Sequence, residues 1–378
     1  MPHNYDVIVL GCGGMGSAAL AELTRRGVRV LGLEQYPLVH DQGSSHGETR
    51  IIRLAYYEHP DYVPLLRRAF ERWYELEQEC GEQLLTETGM LSMGEPNSEL
   101  ITGIQRAAAE HSLQLESYSA REVQQRWPQW KLPESYVGVF ENVAGYLRVE
   151  RCIRAQLKVA ETHGAQIVAE EPVISWQAEA NTVTVRTARE TYHAAKLVIA
   201  GGAWNPELLG ALNLPLTVAR MVPCWFEVPN PRMFTRQRFP CFIHTSPAGE
   251  FYGFPQIDGQ GLKLAPHHSL SEVSSPAEVD RSTYERDEEP LRRFAQEWLS
   301  APLGRCLRRS ACMYTLTPDR HFLIDRHPEH DNVVFAGGFS GHGFKFSSVV
   351  GEILADLAIS GTTALPIKMF RAARFANQ

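Results

Sequence analysis

Three short stretches of this chain concentrate residues able to do chemistry. In Gly11-Cys12-Gly13-Gly14-Met15-Gly16, glycines at positions 11, 13 and 16 would let backbone N–H groups and a helix N-terminus approach an anion the size of a pyrophosphate. The stretch Ser44-Ser45-His46-Gly47-Glu48-Thr49-Arg50-Ile51-Ile52-Arg53 carries two guanidinium groups. Three residues apart, Arg50 and Arg53 face opposite ways on a strand and share a face on a helical turn. One could serve the cofactor and the other an anionic substrate, since guanidinium binds carboxylate through two parallel hydrogen bonds. Gly341-His342-Gly343-Phe344-Lys345 places a lysine at a glycine-rich turn before a helix, where the positive end of the dipole favours anions. Anion recognition is common to all three, although a solvated loop around Arg50 or an exposed Lys345 would leave similar residues.

The elements that would position these groups are legible around them. Residues 5–10 form a β-type run, 17–26 are rich in Ala, Leu and Glu, Gly27 can cap that helix, and 28–33 read as a second strand ending at Glu34. This is a βαβ unit of about 30 residues, the context in which GxGxxG marks a dinucleotide site. Glu34 is placed for ribose hydroxyls and disfavours a 2′-phosphate, so FAD or NAD is expected over NADP, and the motif does not choose between them. Apolar positions recur at helical spacing over 61–80. Strand-like runs at 167–168, 173–176, 183–185 and 197–200 lead to a second glycine pair, Gly201-Gly202. Residues 221–266 alternate aromatic and polar types with frequent Pro and Gly, which suits an antiparallel sheet. Strands at 312–315, 322–325 and 332–336 lead to the third glycine cluster and a helix over 347–360. These junctions predict a nucleotide-binding α/β domain assembled from 1–88, 140–220 and 308–378. An α+β antiparallel-sheet substrate domain, 89–139 and 221–307, is inserted in it.

Composition narrows the partners. The 378 residues carry 37 Lys+Arg against 44 Asp+Glu, a net charge of −7, with no basic block for nucleic acid or an anionic membrane. The best apolar stretch, 349–359, is short and interrupted by Glu352 and Asp356, so no membrane span is expected. The N-terminus has no basic leader or cleavage site of a signal peptide. Seven scattered cysteines without CxxC spacing imply a reduced cytoplasmic protein with no metal site or disulfide framework.

Taken together, the N-terminal βαβ, the 45–53 segment, Cys312-Met313-Tyr314-Thr315 and Gly338-Phe339-Ser340-Gly341-His342-Gly343-Phe344-Lys345 resemble the monomeric sarcosine oxidase and N-methyltryptophan oxidase family over nearly the whole chain. The resemblance implies a Rossmann-like FAD-binding domain with an inserted substrate domain, in a monomer. It implies FAD attached covalently through Cys312, which composition alone would make a buried structural thiol. Lys263, by pattern a solvent-facing strand lysine, matches the family's lysine beside flavin N5, thought to assist the reaction with oxygen. Arg53 and Lys345 match the pair holding a substrate carboxylate. His46, Thr49 and Arg50 match groups lining the flavin, as do Gly11, Gly13, Gly16, Glu34, Gly341 and Gly343 for the cofactor as a whole. Tyr252, His267 and Tyr314 match positions around the substrate amine, while Pro266 and Ser45 depart from the sarcosine-type pattern. The implied reaction converts an N-methyl amino acid and O₂ to amino acid, formaldehyde and H₂O₂. A pipecolate-type oxidase of cyclic imino acids and a flavin dehydrogenase using another acceptor are the alternatives. His244 and Phe242 are expected in the side-chain pocket, whose size is not legible.

Overall fold

Tyr5–Leu10 is buried on both faces because it is the inner strand of a parallel sheet. It pairs in parallel with Val30–Leu33 on one side and with Thr191–Ile199 on the other. Val333–Gly337 and Gln166–Val168 extend the parallel part, and Leu323–Arg326 pairs antiparallel at one edge. The computed structural model describes residues 4–267 and 271–375. On one face of this sheet Val7 and Val9 pack against the helices Gly14–Arg25, Val63–Cys80, Val149–Thr162 and Ser347–Ser360. On the other, Ile8 and Leu10 meet Val183, Val185 and Tyr192 from the antiparallel run Val173–Glu179, Thr182–Thr187, Thr191–Ile199. Such two-sided burial needs an apolar run rather than alternation, as in the Val7-Ile8-Val9-Leu10 sequence.

The helix expected over 61–80 runs from Val63 to Cys80 and buries the apolar stripe Leu65, Leu66, Ala69, Phe70, Trp73 and Leu76. Its first turn is a separate 3₁₀ segment, Pro60–Tyr62, because the His59 side chain accepts the Asp61 N–H and starts the chain earlier. Gly81, at φ 71°, ends it.

The second large sheet follows the order Cys306–Arg309, Cys224–Phe226, Leu262–Pro266, Gly249–Phe254, Cys241–Ser246, Met90–Gly94, Val137–Glu141, Glu116–Ser119. All of its pairs are antiparallel except Cys241–Ser246 with Met90–Gly94. Four helices that the sequence scan passes over are Glu99–His111, Ala120–Arg126, Val149–Thr162 and Glu289–Trp298. The last buries only Leu291, Phe294, Ala295 and Trp298 among charged neighbours. A three-stranded sheet formed by Thr49–Ile52, Gly145–Arg148 and Leu85–Glu87 carries Arg50. Another, formed by Glu272–Val273, Thr217–Met221 and Cys312–Leu316, carries Cys312 and Tyr314.

Candidate functional site

A cavity of about 310 Å³ opens at the carboxyl end of Tyr5–Leu10, in the crevice beside Val30–Leu33 and Thr191–Ile199, where open α/β sheets bind ligands. Gly11, Gly13, Glu34, Arg50, Gly341 and Gly343 all line it. A Cβ on Gly13 would meet no protein atom within 4 Å, so it would project into the space a ligand's phosphates need. Gly11 is held at φ 85°, and Gly16 stands behind the wall: a Cβ there would lie 1.7 Å from the Gly11 carbonyl oxygen. Gly16 therefore lets helix and strand approach each other rather than facing the cavity. Glu34 is buried with one carboxylate oxygen accepting the Cys12 N–H at 2.8 Å and the other the Tyr36 N–H at 3.1 Å, and His40 Nε2 lies 3.4 Å away. The residues thus fit an adenine dinucleotide, with backbone amides for the pyrophosphate and a fixed carboxylate for a ribose.

Arg50, Tyr314, Gly341 and Phe344 line this cavity and also a smaller one of about 50 Å³. The strand Thr49–Ile52 explains the arrangement of the two arginines. Arg50 points at the shared wall, donating to the Thr49 and Ser44 carbonyls, while Arg53, just past the strand end, enters the small cavity. Arg53 is buried, donates to both oxygens of Glu58 at 2.8 and 2.7 Å and to the Ala55 carbonyl at 2.8 Å, and lies 4.1 Å over the Tyr56 ring. Burial alone would raise Glu58, but Arg53 outweighs it and holds the carboxyl below 4.5. Lys345 Nζ donates to the His342 carbonyl at 2.7 Å and sits 3.5 Å from the Tyr56 hydroxyl. Burial first, then Arg53, lowers Lys345 to about 7. The His342 tautomer follows from its neighbours. Nε2 faces the Arg320 carbonyl at 2.9 Å and must carry the hydrogen, so Nδ1 accepts from Tyr56 at 2.5 Å. Burial lowers His342 to about 4 and keeps it neutral.

Across the small cavity, the Tyr252 and Tyr314 hydroxyls lie 3.3 Å apart, and the His267 ring packs on both tyrosines. Lys263 is buried rather than solvent-facing. Its Nζ donates to the Gly47 carbonyl at 2.6 Å and to the Thr49 carbonyl and hydroxyl at 3.1 and 3.0 Å. It is tucked under the base of the Arg50 strand, and burial, then Arg50, lowers it well below 10.5. The Cys312 Sγ is 3.5 Å from Arg50 Nη2 and 3.6 Å from the Ser44 carbonyl, both groups of cavity-lining residues. Burial alone would raise this thiol, but His46 and then Arg50 outweigh it and hold it at about 7. By contrast, burial raises Cys12, Cys152, Cys224, Cys241 and Cys306. His46 lies buried at hydrogen-bond range of Ser310.

His244 and Phe242 do not reach the small cavity. On the strand Cys241–Ser246 it is Ile243 that lines it, and its two neighbours point to the opposite face. There His244 is enclosed by Trp130, Tyr136, Phe294 and Trp298, and burial lowers it to about 3. The sequence pattern gives no role to Tyr56, Tyr57, Glu58 or Glu250, and marks His342 only as a member of the Gly341–Lys345 stretch. The signal for Glu250 was available: it precedes Tyr252 by two residues on a strand and so shares its face.

Among the described residues, no cluster of His, Cys, Asp and Glu could hold a metal ion and no helix is long and apolar enough to cross a membrane. Fold and site together define a dinucleotide-binding protein with a small charged cavity set against its cofactor cavity. The model of the FAD dependent oxidoreductase family matches residues 6–357. A monomeric sarcosine oxidase from a Bacillus species is 43% identical over 375 residues, covering 98% of this chain and 96% of that protein. An N-methyl-L-tryptophan oxidase from Salmonella agona is 36% identical, covering 99% of this chain and all of that one. Among solved structures, NikD, an unusual amino acid oxidase essential for nikkomycin biosynthesis, superposes with a TM-score of 0.86 at 26% identity, covering 98% of each chain. The chain belongs to the FAD dependent oxidoreductase family.

Proposed function

We propose that this protein oxidises a small N-methyl amino acid of the sarcosine type with O₂, releasing the demethylated amino acid, formaldehyde and H₂O₂. The observation that carries this is the small cavity: it shares a wall with the cofactor cavity and is lined by Arg53 and Lys345. Its volume of about 50 Å³, three to five times the about 10–15 Å³ that one water needs, suits a ligand as small as sarcosine better than one with an indole side chain.

FAD, when bound, would supply the redox chemistry, taking a hydride equivalent from the N-methyl C–H while the N–H proton is lost, and passing the two electrons to O₂. Gly11, Gly13, Gly341 and Glu34 would hold it, with Cys312 as the site of covalent attachment. Arg53 and Lys345 fix the substrate carboxylate, and the Tyr56 hydroxyl orients Lys345 because its own proton is committed to His342. Tyr252, Tyr314 and His267 wall the amine in and exclude water. Lys263, whose Nζ donates to three oxygen acceptors beneath Arg50, is the N–H donor we assign to charge developing on oxygen. Water hydrolyses the released imine. We further read the two large sheets as cofactor and substrate domains. The seven unpaired cysteines fit a reducing, cytoplasmic compartment, and the monomeric state we propose is the one in the name of the sarcosine oxidase relative.

The test is peroxide release by the purified protein with sarcosine, N-methyl-L-tryptophan and pipecolate. Sarcosine should give the highest kcat/KM, and the indole substrate should be slower by about tenfold or more, since it must displace packed side chains. Faster turnover of N-methyltryptophan would overturn the size argument, and no peroxide from any of the three would overturn the oxidase reading.

A further inference from the structure

Among the described residues the small cavity holds two carboxylates, of which one is paired with an arginine. Glu58 is taken by both of its oxygens onto Arg53. Glu250 is nine-tenths buried on the same wall, and the cation within ion-pair distance among the described residues is His267, with Nε2 at 3.8 Å. Tyr57 spans the two charges: its ring centroid lies 4.8 Å from the Arg53 guanidinium, and its hydroxyl donates to Glu250 at 2.9 Å. A carboxylate buried at the edge of a ligand cavity is costly unless something pairs with it.

We infer that Glu250 is the counter-charge for the substrate's amine, so that the cavity recognises a zwitterion: Arg53 and Lys345 at the carboxylate, Glu250 at the ammonium. This rests on the proposed function and adds a specificity-determining residue to it. The geometry follows from the strand Gly249–Phe254, where Glu250 and Tyr252 share the face turned to the cavity while Phe251 joins the aromatic cluster behind it. The charge of Glu250 responds to every element around it. Burial first and Glu58 next raise it to about 7, Glu99 on the neighbouring helix pushes the same way, and the Tyr57 hydroxyl and Arg53 oppose them. A ligand ammonium would bind its ionised form, whereas a plain carboxylate ligand would favour the protonated one. Acids that lack an amine are thereby rejected even though the carboxylate clamp would accept them.

The experiment compares glycine with propionate, which has the same heavy-atom shape but no charge at the nitrogen position, by calorimetry on the FAD-loaded enzyme under nitrogen. Glu250→Gln and, as a second variant should the first fold poorly, Glu250→Met should move the ratio of the two dissociation constants about tenfold toward propionate while leaving propionate bound at least as tightly. In the wild type the preference for glycine should grow between about pH 6 and about pH 8, and in both variants it should stay flat across that range. A ratio unmoved by either variant, with both ligands still binding, would overturn the role of Glu250 and leave the oxidase reading standing. Failure of wild type to bind either ligand would overturn the carboxylate clamp and this inference with it.

Discussion

Lys345 carries a conflict between stability and binding that can be measured. Its folded value of about 7 lies below the ordinary 10.5 because burial, then Arg53, disfavours the charged form. The unfolded chain therefore binds more protons than the folded one between these values, so stability rises with pH across that window. Below about 7 the folded protein carries the full cost of a buried cation, and toward 10.5 the cost vanishes. Lys345→Met should accordingly raise the urea midpoint most at about pH 6 and hardly at all near pH 10, while weakening propionate binding by about tenfold or more. A stabilisation independent of pH would assign the effect to packing instead. Cys312 makes the complementary case, a thiol whose neighbours His46 and Arg50 outweigh burial. A larger thiolate fraction at neutral pH means a better nucleophile, so acid-precipitated wild type should keep its yellow colour and Cys312→Ser should lose it to the supernatant. Release from both would refute covalent attachment. Neither conflict is legible in sequence, because each depends on groups far apart in the chain. Arg50 and Cys312 are 262 residues apart.

At the scale of elements, the two glycines of one motif do different work. Gly13 lines the cofactor cavity at φ −73°, a conformation alanine adopts, and its Cβ would touch nothing within 4 Å. Gly16 would put a Cβ 1.7 Å from the Gly11 carbonyl oxygen. Gly13→Ala should therefore give a folded protein with little bound FAD, and Gly16→Ala one destabilised by about 2–4 kcal/mol or not folded at all. Circular dichroism melts beside flavin content would separate the two, and equal destabilisation would contradict the assignment. This unit was readable because strand, turn and helix are contiguous and each residue's propensity agrees with its place. The substrate wall was less so. Period-2 alternation places Ile243 and Glu250 in the cavity and His244 behind it, but the phase of a strand shows only once a neighbour fixes which face is inward. His244, a residue type usual in active sites, drew attention to the wrong face. Lys263 misled in the opposite direction, since nothing local shows that the Gly47 and Thr49 carbonyls will cover it.

On the scale of the whole molecule, the cofactor cavity is a junction of distant segments. Gly11 to Gln35 comes from the start of the chain, Ala200 to Leu208 from the middle, and Met313 to Phe344 from the end. Few contacts between side chains could substitute for a ligand that touches all three at once, so cofactor binding and assembly of the parallel sheet are linked. Cys312→Ser makes this linkage measurable by leaving FAD reversibly bound. At free FAD about 100-fold above its dissociation constant, the native state gains about 2.7 kcal/mol, which in a protein of this size corresponds to a rise in Tm of about 3 °C. The shift should grow with the logarithm of FAD concentration, and tryptophan fluorescence should follow the same transition. That probe reports the second sheet as well, because Trp225 lies on it and Trp130 and Trp298 in its core. A second, FAD-independent transition in the fluorescence would show the two large sheets unfolding separately, and then cofactor binding would be linked to the parallel sheet alone.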